Sequence, residues 1–183
     1  RFLEPALTII RNAGGPDFAA RQAQTLGYFA NLTSPDARFN GRRIIPGMGN
    51  SGNILESIFG STLATALRGN PDLAPLMQKL HRAAWPTQPL GPTPSNCGWF
   101  AFQYRPDVPE TPASLATTIM PNDGVVFRSR FGTTEEMSML FRAGINWSHW
   151  DTDAGNVILY GKGAPLSPGT GYQYYYGPAS ENE

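Results

Sequence analysis

The chain has 183 residues, with 14 Lys plus Arg against 14 Asp plus Glu and a formal net charge of zero. That balance argues against nucleic-acid binding by bulk charge. No apolar run approaches the roughly 18 residues of a membrane span, and no signal peptide is visible. Gly (20) and Pro (17) lie well above ordinary usage, so a loop-rich protein is expected, as one domain or two small ones.

Arg1-Phe2-Leu3-Glu4-Pro5 reads as the interior of a longer chain, and the expectation is an internal piece of a larger protein. Pro16-Asp17 suits a first helical turn, with proline at the opening position and an acid facing the helix dipole. Phe18, Ala19, Gln22, Leu26 and Phe29 then form an apolar stripe. Between Asn53 and Arg68, apolar residues such as Leu55, Phe59, Leu63 and Ala66 recur at three- and four-residue spacing, which predicts a second helix. Asn70-Pro71-Asp72 predicts a cap and a third helix reaching about Trp85. His81 falls in that helix, where a hydrogen-bonded structural histidine is the ordinary role. Arg38 to Gly52 joins the first two helices. Its Gly47-Met48-Gly49-Asn50-Ser51-Gly52 lets backbone approach a ligand, but it lacks the Gly-Lys-Ser/Thr ending of a phosphate loop. Asn50 is either part of a plain helix-joining loop or a contact at the rim of a cleft.

Seven prolines between Pro86 and Pro112 block helix and interior strand alike, so residues 91–112 are expected to connect a helical segment, 1–90, to a strand-rich one, 113–183. Cys97 to Tyr104 is a candidate short strand inside the connector. The lone Cys97 has no disulfide or CxxC partner. After the connector the pattern changes to period two. Asn122-Asp123-Gly124 is a turn signal between strands near 115–121 and 124–131, and further strands are expected near 136–142 and 155–161. Arg128 and Arg130 form one local basic cluster, and Arg38, Arg42 and Arg43 another. Either is a solvated face or part of a basic groove.

Between Asn146 and Asp153 the chain places Trp147, His149, Trp150, Asp151 and Asp153, immediately before a run of strand formers, Val157-Ile158-Leu159-Tyr160. Imidazole exchanges its proton near neutral pH, carboxylates orient it or bind metal, and indole faces stack on flat or sugar-like ligands. An ordinary polar turn with a buried histidine is the bland alternative.

The stretch from His149 through Pro165-Leu166 to Gly171-Tyr172 resembles the start of the β-sandwich of the heparinase II/III-like polysaccharide lyases. That family reads His-x-His-x-Asp, a strand, a small-residue turn with Pro-Leu, then Asp-x-Gly-Tyr. Pro121 to Ser129 is similar to the family's opening hairpin. Thr33 to Phe39 and Arg42 to Pro46 are similar to a segment late in its helical domain, so the resemblance covers residues from about 30 to 178. It implies an α+β multidomain fold: the C-terminal part of an (α/α) toroid followed by an antiparallel β-sandwich, both incomplete. It also implies a secreted or periplasmic enzyme that cleaves uronic-acid polysaccharide, alginate-like or glycosaminoglycan-like, by β-elimination. The partners are then an acidic polysaccharide or oligosaccharide and the remainder of the same protein, which supplies the helical-domain histidine, tyrosine and asparagine.

On the resemblance His149 is the catalytic candidate. Trp147, Trp150, Asn50, Arg128 and Tyr172 are candidate substrate contacts, and Asp153 and Asp151 orienting residues. Two positions depart from the family pattern. Its second His is Asp151 here, and its later Asp is Gly169. Some members hold a structural zinc with those two positions, so no zinc is expected, while Asp151 and Asp153 suit a harder cation such as calcium. The same departures keep a second reading open, a non-catalytic carbohydrate-binding or scaffold protein of lyase-like architecture. Tyr172, Tyr174, Tyr175 and Tyr176 are either a source of a general acid or an aromatic strand packed in a core.

Overall fold

Residues 3–35, 43–47, 58–84, 105, 107–144 and 155–167 are described by the computed structural model. Among them are four α-helices and a five-stranded antiparallel sheet, so the chain is mixed α+β. No helix among them is long and apolar enough to cross a membrane. The chain separates into two compact units, residues 1–30 with 56–113 and residues 31–55 with 114–183. The sequence divides the chain at its proline-rich connector, whereas the contacts group 31–55 with the sheet.

The first unit holds the helices. α1 (Leu3–Asn12) lies inside the segment 1–90 expected to be helical, at a place where the sequence pattern singles out no individual helix. It closes on Gly14, whose φ of +85° is the left-handed conformation that favours glycine after a helix. α2 (Ala19–Leu32) begins where the Asp17 carboxylate accepts a hydrogen bond from the Ala19 amide at 2.9 Å. Its buried residues Ala19, Ala23, Leu26 and Ala30 recur at the spacing of one helix face. The expected second helix is described from Ile58 to Gly69 as α3. Gly69 is required there, because a side chain would overlap the Ala19 carbonyl oxygen. Asn70 does precede the next helical segment, but its side chain makes no cap bond. Pro71–Leu73 form a single 3₁₀ turn before α4 (Ala74–Ala84). Leu63, Ala66, Met77 and Leu80 are fully buried, and His81 is buried in α4. The larger of these side chains, Leu63, Met77 and Leu80, each contribute about 1.5–3 kcal/mol of hydrophobic stabilisation.

The second unit is built on an antiparallel sheet with strand order β1-β2-β3-β4-β5. Its strands are β1 (Thr118–Met120), β2 (Gly124–Ser129), β3 (Met137–Arg142), β4 (Val157–Gly161) and β5 (Ala164–Ser167). Four of them lie where the period-two pattern expects strands. β5 occupies Ala164 to Ser167, where the resemblance implies a turn. Gly163, at φ +75°, and Lys162, at φ +54°, form the tight reversal into it.

Side chains alternate between the two faces of a strand, and burial follows that alternation. Met120, Val126, Leu140, Ile158 and Tyr160 are buried on one face. The segments 31–35 and 43–47 belong to this unit, and Ser34 and Ile44 tie them together: the Ser34 amide donates to the Ile44 carbonyl at 2.8 Å. Ile119, Phe127, Met137, Val157 and Leu166 are exposed on the opposite face.

Candidate functional site

Residues 145–154, which carry Trp147, His149, Trp150, Asp151 and Asp153, lie outside the described residues, as do Asn50 and Tyr172. The frame that carries this stretch is described. It is the connection between β3 and β4, which pair as far as Phe141 opposite Val157. Beyond that pair the Arg142 amide donates to the Asn156 carbonyl at 3.0 Å, and the Gly155 amide donates to the Arg142 carbonyl at 2.7 Å. Gly155, at φ +85°, makes that return possible. The base of the connection is thus closed by backbone hydrogen bonds.

A second element braces the same end of the sheet. In the β1–β2 turn the Asp123 amide donates to the Met120 carbonyl at 3.1 Å, with Pro121 and then Asn122 at φ +66° between them. That is the residue pattern of a type II turn. The turn then clasps the end of β3. Arg142 donates to Asp123 Oδ1 from Nε at 3.1 Å and from Nη2 at 2.7 Å, and the Ala143 amide donates to the Asp123 carbonyl at 2.9 Å. Gly144 must be glycine here, since a side chain would overlap the Asn122 carbonyl oxygen.

Arg128 departs from its expected role as a substrate contact. Its side chain is 1 % exposed and its Nη1 donates to Glu136, itself 1 % exposed. Its Nη2 donates to the Thr33 carbonyl at 2.6 Å and to the Asn31 carbonyl at 3.0 Å. Arg43, expected on a solvated face or in a groove, meets the same carboxylate from the other side. Its Nη1 lies 3.2 Å from Glu136 Oε1 and its Nη2 2.5 Å from Oε2. Arg43 Nη1 also donates to the Ser34 carbonyl at 2.8 Å, and its guanidinium lies 4.9 Å from the centroid of the Phe131 ring. The Gly132 amide completes the carboxylate's shell at 2.8 Å. Arg38 and Arg42 lie outside the described residues. Among the described members of the two expected basic clusters, Arg43, Arg128 and Arg130, only Arg130 has its side chain in solvent, where it pairs with Glu135.

Burial pushes the Glu136 carboxyl up, but Arg43, the Gly132 amide and Arg128 together outweigh it and hold the group below the usual carboxylate range. Burial pulls the Arg128 guanidinium down, against the opposing pull of Glu136. This cluster binds the 31–47 segments to the sheet through charges with almost no exposure to water, so its chemistry is structural.

Beside it, Arg128, Ser138 and Tyr160 are cross-strand neighbours on one face, with Arg128 opposite Ser138 and Ser138 opposite Tyr160. They line a cavity of about 10 Å³ together with Asn31, Thr33 and Leu140. Burial pushes the Tyr160 hydroxyl up to about 12, so it keeps its proton.

Among the described residues no group of three or more His, Cys, Asp and Glu is placed to hold a metal ion. Asp151 and Asp153, the pair weighed for calcium, lie outside them. The sequence reading did not single out Glu136, Ser138 or Tyr160. One signal for the first was present: Arg128 shares the parity of Val126, and Glu136 the parity of Ser138 and Leu140, so two opposite charges stood at core-facing positions on adjoining segments. No protein-family model, no curated protein and no solved structure matches this chain.

Proposed function

We propose that this chain forms part of a secreted or periplasmic polysaccharide lyase that cleaves uronic-acid-containing polysaccharide by β-elimination. The observation that carries the reading is the ordered set of residues from His149 to Tyr172. It is supported by the frame around it, a connection between two paired strands whose base is closed at Arg142, Gly155 and Asn156. Such a frame holds a short polar stretch at a fixed end of a sheet, which is what positioning a reactive group requires.

In the reaction a base takes the proton from the carbon that bears the uronate carboxylate. The electron pair forms a double bond to the neighbouring carbon, whose bond to the glycosidic oxygen breaks, and an acid returns a proton to that oxygen. The negative charge that builds up on the carboxylate must be stabilised throughout. In this proposal His149 touches the uronate or shares the proton transfer, and Asp153 and Asp151 orient it. Trp147 and Trp150 offer faces to the sugar rings, and Asn50 and Tyr172 add polar contacts. Arg128 is omitted, because Glu136 and two carbonyls already engage both its terminal nitrogens. The toroid and the sandwich are part of the same proposal. The exposed apolar face with Ile119, Phe127 and Val157 is the kind of surface a second sheet covers.

The replacement of two motif positions, by Asp151 and Gly169, favours a second reading as a non-catalytic carbohydrate-binding protein of the same architecture. Incubating the protein that carries this chain with a panel of uronate polysaccharides separates the two. The lyase releases products with an ultraviolet-absorbing unsaturated uronate, while the binding protein retains polysaccharide and releases none.

A further inference from the structure

We propose that the cavity lined by Arg128, Ser138 and Tyr160 binds a single monatomic anion of chloride size, held by the Arg128 Nε–H and the two hydroxyl groups. Arg128 Nε is buried and has no hydrogen-bond partner among the described residues, in a residue only 8 % exposed. Its other two nitrogens are consumed by Glu136 and the carbonyls of Asn31 and Thr33, so the guanidinium is fixed and cannot turn Nε elsewhere. A buried N–H of a cation left without an acceptor is costly, and an arginine offers donors only.

The other groups suit the same occupant. Ser138 and Tyr160 stand in line with Arg128 across β3 and β4 on the same face, and both line the cavity. Each hydroxyl rotates to present its hydrogen to an acceptor. Tyr160 keeps that hydrogen, because burial disfavours its ionised form. The charge of the guanidinium distinguishes an anion from a neutral acceptor, since desolvation strengthens the pairing of opposite charges. Size sets the class: about 10 Å³ is the space of one water molecule or one small ion. Carboxylates, phosphates and sugar rings are too large, so the site is separate from any that takes polysaccharide. Val126, Leu140 and Ile158 supply the hydrophobic remainder of the lining.

The test compares thermal unfolding of the protein in sodium chloride, bromide and gluconate at matched ionic strength, for the natural chain and for Ser138→Ala and Tyr160→Phe. These two variants remove a hydroxyl and little volume, so they remain folded. Chloride and bromide should raise Tm by several degrees over gluconate in a saturable manner, as any ligand specific to the folded state does. The rise should shrink or vanish in both variants. Crystals grown in bromide should show an anomalous peak beside Arg128 Nε. Equal Tm in chloride and gluconate, a halide effect unchanged in both variants, or a water molecule without anomalous signal at that position would each overturn the proposal.

Discussion

Arg43 and Glu136, 93 positions apart in the chain, meet as a two-pronged ion pair with nitrogen–oxygen distances of 3.2 and 2.5 Å. Both side chains are almost wholly excluded from water, at 0 and 1 % exposure. A guanidinium fork matches a carboxylate in plane and spacing, which makes such pairs directional as well as attractive. The pair specifies where the segment around Ile44 and Ile45 meets the sheet. Arg128 joins it from β2, so one carboxylate serves two guanidiniums.

Removing that carboxylate's charge should cost far more than loss of a surface ion pair. Glu136→Gln leaves two buried guanidiniums facing an amide and should destabilise the protein by about 3–5 kcal/mol, read from urea unfolding. Replacing Arg43, Arg128 and Glu136 together by apolar residues of similar size should cost less than the sum of the single changes. Strict additivity in that cycle would show that the three do not act as a unit.

The same carboxyl gives the protein a defined acid sensitivity. Its folded-state value is depressed below the ordinary 4.5, so its stabilising contribution is present above that pH. The contribution is lost as the pH falls through the depressed folded value, because protonation then favours the unfolded chain. Urea midpoints measured from neutral pH downward should decline below about 4.5 in the natural protein and decline less in Glu136→Gln. Parallel curves would place the acid sensitivity in other groups.

The sequence made the strand half easy to read and the charged core hard. Val125 to Phe127 and Met139 to Phe141 announce strands by residue type, and Asn122-Asp123-Gly124 marks the turn from β1 into β2. Local pattern decides such features. The partnership of Arg43 with Glu136 is non-local, and nothing near Arg43 shows which distant carboxylate will neutralise it. Arg128 could be assigned to a groove because it is a charged residue followed by Ser129 and Arg130, while its parity with Val126 pointed inward. β5 was hidden because Ala164-Pro165 is poor strand sequence. Among the described strands β5 is the last of the sheet, a position where proline is tolerated. Of the candidate site, the frame at Arg142 and Gly155 is described, while His149, Trp147, Trp150, Asp151, Asp153, Asn50 and Tyr172 fall outside the described residues.

The brace between the β1–β2 turn and β3 should matter to whatever the 145–154 connection does. Gly144→Ala forces a methyl group into the Asn122 carbonyl oxygen and the Asp123 backbone. A shift of that turn should lower stability by about 1–3 kcal/mol, the usual cost of overpacking. If the proposed function holds, it should also lower turnover more than it raises KM. Unchanged stability would show that the turn gives way freely.

Loss of the imidazole addresses the proposed chemistry residue by residue. His149→Ala should reduce turnover by about 10²-fold or more, the scale of losing a proton-transfer group. Its thermal unfolding should be nearly unchanged. Full activity in that variant would make His149 a structural residue.

Formation of the new double bond tests the lyase proposal most directly. The protein carrying this chain should be incubated with alginate-like and glycosaminoglycan-like uronate polysaccharides, with and without a chelator, while the absorbance of unsaturated uronate is followed. The proposal predicts a steady rise on at least one substrate, abolished or greatly slowed in His149→Ala and unaffected by chelation of zinc. Binding of these polysaccharides with no unsaturated product on any of them would contradict it and favour the non-catalytic reading.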